Sequence, residues 1–252
     1  MTITLAEICR YPVKGLNAEP LDAAMLEPDR RLAHDRRFAL AHAASRFSSM
    51  APSWLPKSEF LTLVKSERLA LLRARFEPES GQLAIERAGK PVARARATEP
   101  VGRAILEQFF SAFLREESHG AVRLAEAAGV AFTDKAEPLV SIIGLPSVRD
   151  LERVVGGTVD PRRFRANFYI EGSAPWAELG WLGREIMIGA ARLEVVARIG
   201  RCGATNVDPA SGARDLNIPL ALERGFRHAD MGVYARVLAG GDVTRGDAVA
   251  VL

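Results

Sequence analysis

The chain is poor in the residues that build most metal and redox centres. Only two cysteines, Cys9 and Cys202, occur in its 252 residues. Two thiols are too few for a typical iron–sulfur cluster, or for a structural zinc unaided. The four histidines, His34, His42, His119 and His228, show no metal-ligand spacing. HExxH, the P-loop, GxGxxG and GxSxG are all missing, which argues against a zinc protease, a nucleotide hydrolase, a dinucleotide enzyme and an esterase. No apolar run approaches the ~20 residues of a membrane helix. The N-terminal stretch MTITLAEICRYPVKG lacks a basic leader before an apolar core, so the expectation is a cytoplasmic protein with no membrane partner. A disulfide between the two thiols is disfavoured in that compartment. Net charge is only +3 although the pI is near 9.1. That is too weak for a nucleic-acid partner, which needs basic residues clustered on one face, but it suits an anionic small molecule or cofactor.

Hydrophobic residues make up 48% of the chain, enough to bury a sizeable core. Short strand-like runs dominate: Ile3–Tyr11, Phe60–Val64, Leu69–Arg75, Val92–Arg96, Leu139–Ile143, Asn167–Glu171 and Ala248–Leu252. Glu185–Ile199 reads as a hairpin broken at Gly189-Ala190-Ala191. After Pro100, Val101, Ile105, Phe109 and Phe113 recur every four positions and predict a helix that ends before Gly120. A second helix is expected from about Ser147, as its N-cap, to Val155, and a third after Pro219. The expected fold is α+β and β-rich, with a barrel-like core and a few flanking helices. The weakly periodic stretch at 120–134 places a boundary between segments 1–120 and 121–252.

Chemistry concentrates in four places. Cys202 sits where an apolar strand ends, between Gly200 and Gly203, with Arg198 and Arg201 beside it. Those arginines favour a thiolate, the form that binds a soft metal or attacks sulfur. A lone cysteine is as readily a small buried hydrophobe, and the local sequence leaves both readings open. Cys9, inside an alternating strand, reads as packing. The turns at Asp208-Pro209 and Ser211-Gly212 would fix the loop after Cys202. In Tyr11-Pro12-Val13-Lys14-Gly15, the lysine ammonium and free backbone N–H groups can face an anion. In Asp35-Arg36-Arg37-Phe38, one arginine can pair with Asp35 and leave the other free. In Asp160-Pro-Arg-Arg-Phe-Arg-Ala-Asn167, Arg165 and Asn167 are two apart on an expected strand and so share a face. An arginine beside an amide suits a phosphate or a pterin edge.

YPVKG at 11–15, DRRF at 35–38, RFRANFYI at 163–170, RC followed by NVDPASG at 201–212, GVYARV at 232–237 and the closing GDAVAVL together resemble MOSC-domain proteins with their N-terminal β-barrel partner. The pattern is most similar to the amidoxime-reducing proteins and their bacterial counterparts. The resemblance covers essentially the whole chain. It implies an N-terminal MOSC β-barrel-like domain at 1–120 and a MOSC domain with a β-barrel core at 121–252. It also implies a molybdenum–molybdopterin cofactor, with Cys202 as metal ligand and catalytic centre. Lys14, Arg36, Arg165, Asn167, Arg201 and Tyr234 would contact the cofactor. The implied activity is reduction of N-hydroxylated small molecules. Electrons would come from an external electron-transfer protein, ferredoxin-like, flavoprotein-like or cytochrome b5-like. Asp208 or Tyr234 would be the nearest acid. The alternatives are sulfur transfer through a Cys202 persulfide and a non-catalytic carrier of the cofactor. Gly15, Gly200 and the Asp134-Lys-Ala-Glu-Pro138 stretch depart from the family pattern by losing hydroxyls. Each lost hydroxyl removes a hydrogen bond worth about 1 kcal/mol net.

Overall fold

The structure, a computed structural model, describes residues 2–127 and 129–252. Among these residues the chain runs β1 (Ile3–Arg10), β2 (Glu19–Leu21), β3 (Ala23–Leu26), β4 (Phe38–Ala41), β5 (Leu72–Glu77), β6 (Gln82–Arg87), β7 (Lys90–Arg96), α1 (Pro100–Phe113), α2 (Arg115–Ser118) and β8 (Arg123–Glu126). It continues through β9 (Leu139–Gly144), α3 (Leu145–Val155), β10 (Phe168–Glu171), β11 (Glu185–Ile188), β12 (Ala191–Gly200), α4 (Ile218–Phe226), β13 (Asp230–Ala239), β14 (Gly241–Thr244) and β15 (Ala248–Val251). Among the described residues no helix is long and apolar enough to cross a membrane.

Seven strands close into a barrel in the order β10-β9-β13-β12-β11-β15-β1, with β1 pairing back onto β10. Closure removes the exposed edges an open sheet would leave. β9 and β10 are parallel, and α3 is the crossover that parallel neighbours require. Alternation along β12 sends Ala191, Leu193 and Val195 inward, where they meet Val140, Ile142, Phe168, Ile186, Val233 and Val237. The β11–β12 turn needs Gly189, whose φ is +54° and whose added Cβ would lie 2.3 Å from the Asp247 carboxylate.

A second core lies under the antiparallel sheet β5-β6-β7, covered by α1. The residues that bury α1 are Gly102, Leu106 and Phe110. The recurring set that marks the helix in the sequence faces outward at its start, with Val101 74% and Ile105 48% exposed. Both stripes repeat every four residues. The sheet takes the one containing Gly102, because a Cβ there would sit 2.1 Å from the Arg96 carbonyl oxygen of β7. The 120/121 boundary is crossed by four strand pairings, two of them made by β1. β1 belongs to the barrel, β4 pairs with β8, and β3 pairs with β14.

Two local expectations are corrected. Phe60–Val64 forms no strand; it touches β4 through one bridge at Ala41 and then turns, with Lys65 and Ser66 N–H donating to the Thr62 carbonyl. Ser147 does not cap α3, which starts two residues earlier behind Gly144. Ser147 Oγ instead donates to the buried Glu178 carboxylate at 2.8 Å, and the Gly144 N–H donates to the same group at 3.1 Å.

Candidate functional site

A cleft of about 850 Å³ including its mouth is lined by the segments that follow β1 and β12, by the segments that precede β9 and β10, and by Tyr234 of β13. Lys14, Arg36, Arg165, Asn167, Arg201, Cys202 and Tyr234 all line it, together with Asp35, Asp134, Ser141, Phe164 and Thr205. Six separated segments therefore meet at one place. Among the lining side chains six are basic and three acidic.

Cys202 follows two register shifts near the end of β12, at Val195/Ala197 and at Arg198/Gly200. Such bulges re-aim side chains at strand ends. The Cys202 carbonyl accepts from Thr205 N–H (3.0 Å) and Thr205 Oγ1 (2.9 Å), which fixes the backbone while the half-buried thiol lines the cleft. A Cβ added at Gly200 or Gly203 would meet nothing nearer than 3.7 Å, so both glycines leave the approach to the thiol open. Asp208 Oδ1 holds the following turn through the Ala210 N–H, the Ser211 N–H and the Ser211 hydroxyl. Arg214 ties the loop to the Leu63 and Val64 carbonyls, and Asn17 Nδ2 donates to Pro209 O at 2.6 Å.

The cations of the cleft are held in four different ways. Arg201 donates to the Met231 and Phe164 carbonyl oxygens and meets no carboxylate among the described residues. Its pKa is lowered by burial. Arg36 donates to Asp35 at 2.6 Å and to the Arg165 carbonyl at 2.7 Å. Burial opposes its charge, but Asp35, Tyr11 and Asp134 together outweigh it and raise its pKa. Lys14 Nζ donates to Asp134 at 2.6 Å and to the Phe132 carbonyl at 2.9 Å. Burial lowers its pKa against the pull of Asp134. Arg165 has no acid partner among the described residues; burial and then the Arg36 charge push its pKa down to about 10, so it remains cationic at neutral pH. Arg36 and Arg165 both take left-handed backbone, at φ +48° and +56°. Arginine rarely adopts that region, and such strain gathers at working sites.

Several residue roles change. Arg198 lies outside the cleft and donates to the Leu179 carbonyl, so of the two arginines flanking Cys202 only Arg201 faces the cleft. Arg37 is not free: it pairs with Glu126 at 2.7 Å and lies 4.8 Å from the Phe76 ring centroid. The Lys14 N–H is not free either, since it donates to Phe38 O at 2.8 Å. Arg165 ends a short 3-10 turn rather than lying on β10, so it reaches the cleft beside Asn167 by a turn, not by strand alternation. Asn167 Oδ1 accepts from Ser141 N–H (3.1 Å) and Ser141 Oγ (2.9 Å), and Nδ2 donates to Cys9 O at 3.3 Å. Its amide thus straps β9 to β1 and keeps one N–H for a ligand. Asp208 is ruled out as an acid for the cleft, because its carboxylate is consumed by the loop and by Arg163. Its pKa is lowered by those donors despite burial. Tyr234 remains, with a pKa raised by burial.

The donor set bears directly on the cofactor that the resemblance implies. Two cations without acids, Arg165 and Arg201, suit a phosphate, and a thiol suits a soft metal. Among the described residues no three His, Cys, Asp or Glu side chains could hold a metal ion, so a metal must bring its own ligands. The serine and threonine hydroxyls that line the cleft are already committed. Thr133 Oγ1 donates to Lys135 O, Ser141 Oγ to Asn167 and Thr205 Oγ1 to Cys202 O. The residues fit an anionic cofactor held by guanidinium groups rather than by hydroxyls. Asp134, as the partner of Lys14, is the site residue least visible in the sequence: it stands in a stretch without periodicity.

Comparison with known proteins gives two family matches. The MOSC N-terminal beta barrel domain matches residues 2–122, and the MOSC domain matches residues 129–250. No curated protein matches. Among solved structures, YiiM from Geobacillus stearothermophilus is similar at 21% identity over 47% of this chain and 55% of that one, with a TM-score of 0.37. This chain thus spans about half the length of YiiM. The YUAD protein from Bacillus subtilis is similar at 12% identity over 100% of this chain and 96% of that one, with a TM-score of 0.46.

Proposed function

The chain belongs to the MOSC family, with an N-terminal MOSC barrel domain ahead of its MOSC domain, and from that premise we propose that it is a molybdenum-cofactor oxidoreductase that reduces N-hydroxylated small molecules. The observation that carries this reading is the meeting of the Cys202 thiol with Arg165 and Arg201, two cations without acids, in one cleft. Cys202 would supply the protein's single soft ligand to the metal. Arg165 and Arg201 would hold the cofactor's phosphate, with Arg36 and the spare Asn167 N–H beside them. When bound, the molybdenum–molybdopterin group supplies a two-electron centre that takes oxygen from an N–O bond. Tyr234 keeps its phenolic proton at neutral pH and is the cleft's donor toward the leaving oxygen. Electrons would arrive from a separate electron-transfer protein.

The test is metal analysis of protein made in a host that synthesises the cofactor, with Cys202→Ala alongside. Near-stoichiometric molybdenum in the parent and loss of it in the variant is the expected result. Equal molybdenum in both, or none in either, overturns the ligand assignment. Removable sulfane sulfur on Cys202 without metal would favour sulfur transfer instead. Bound cofactor without turnover would favour a carrier.

A further inference from the structure

Arg165 poses a physical problem. Its guanidinium lines the cleft, yet among the described residues no carboxylate and no carbonyl holds it. Its remaining contact is aromatic: its central carbon lies 4.5 Å from the Tyr11 ring centroid. The Arg36 guanidinium lies over the same ring at 4.2 Å.

The ring itself is well fixed. Tyr11 is fully buried. Its N–H donates to Asp35 Oδ1 at 2.8 Å, and its carbonyl accepts from the Arg36 N–H at 2.7 Å. Its hydroxyl makes no well-formed hydrogen bond among the described residues and has the Tyr169 hydroxyl as its polar neighbour. Backbone contacts and burial, not the hydroxyl, therefore position the ring.

A carboxylate can hold an arginine only by cancelling its charge and occupying its N–H donors. An aromatic face attracts a cation through its quadrupole and does neither. Arg36 has Asp35 as counter-ion as well, so its charge is balanced. Arg165 has the ring alone. We infer that Tyr11 is a positioning residue whose ring face holds the Arg165 guanidinium at the cleft wall without neutralising it, so that Arg165 meets an anionic group with charge and donors intact. The inference rests on the anion-binding reading of the cleft proposed above.

The test replaces Tyr11 with Phe, with Leu, and with a series of increasingly fluorinated phenylalanines that weaken the ring quadrupole at nearly constant size. Inorganic phosphate binding is followed by calorimetry at low ionic strength. Tyr11→Phe should bind as the parent does. Affinity should fall stepwise with fluorination, by about tenfold over the series, and at least as far in Tyr11→Leu. Arg165 side-chain proton shifts, displaced by the ring current in the parent and in Tyr11→Phe, should return to ordinary values in Tyr11→Leu. The fluorinated series keeps the test usable if Tyr11→Leu does not fold. Equal affinity across the series, or a loss in Tyr11→Phe as large as in Tyr11→Leu, overturns the role of the ring while leaving the anion site standing. Absence of phosphate binding in the parent overturns both readings.

Discussion

Arg163 and Arg165 stand two residues apart in one short turn and meet opposite fates. Arg163 has a side chain only 2% exposed and donates to Asp208 at 3.0 Å and to Asp215 at 2.7 Å. Through them it anchors the loop that carries Cys202. Arg165 faces the cleft with no acid partner among the described residues and an aromatic ring for support. The first charge is cancelled and becomes part of the framework. The second is kept and becomes available to a ligand. What separates a structural cation from a receptor cation is therefore the partner, not the residue type or its burial.

The contrast can be broken at either side. Arg163→Ala should have the largest effect on stability, about 2–3 kcal/mol in urea unfolding. That is below the cost usual for a broken buried pair, because both aspartates are partly solvated. Arg165→Ala should cost less than about 1 kcal/mol of stability, because no partner is orphaned. It should nevertheless weaken phosphate binding and cofactor retention by at least tenfold, as read by calorimetry and by molybdenum per chain. Equal destabilisation by the two substitutions would sink the distinction.

The two thiols give a second version of the same contrast. Cys9 lies in β1 against a packed core, and burial followed by the Glu7 charge pushes its pKa up to about 12. Cys202 lines the cleft. At pH 8 the native protein should therefore take one equivalent of a maleimide, at Cys202, and the second only after unfolding. Mass spectrometry of the modified peptides checks this. Labelling of both thiols in the native state would contradict the described burial.

The smallest effect concerns Glu178, the anionic counterpart of Arg201. It is fully buried and held by N–H and O–H donors, with no basic hydrogen-bond partner among the described residues. Burial raises its pKa, so the folded state binds its proton more tightly than the unfolded state does. By linkage, stability from this group is present below the unfolded carboxyl pKa of about 4.3 and declines as pH rises through the folded value. Glu178→Gln removes that slope. Relative to the parent, it should look better at pH 8 than at pH 4 in urea unfolding. A difference that does not change with pH would count against this account.

Much of the barrel was legible in short patterns. The alternation in Ile3–Arg10, the glycine-broken hairpin at 185–200 and the terminal strand at 248–251 all appear where apolar residues alternate between turns. The failures share a cause. Phe60–Val64 has strand-like composition, but β4 offers it one bridge only. The apolar stripe of α1 locates the helix but not its buried side, because two stripes share one period and Gly102 settles which approaches β7. At the site, Cys202 was marked by its glycines and by Arg201. Tyr11 and Asp134 stood in stretches the sequence singled out, but nothing there marked Asp134 as the partner of Lys14 or the ring of Tyr11 as the support of Arg165.

The chain's own order of residues dictated where strands and turns fall, and that Cys202 would lie at a strand end between two glycines. Those features depend on neighbours a few positions away. Which positive charges survive in the cleft was settled by the folded packing. Lys14 meets its acid 120 residues away, Arg163 meets Asp208 across 45, and Arg165 meets none among the described residues. A buried charge is cancelled or preserved by whatever the fold sets within a few ångströms of it, and electrostatics inside a protein depends on that distance rather than on separation along the chain.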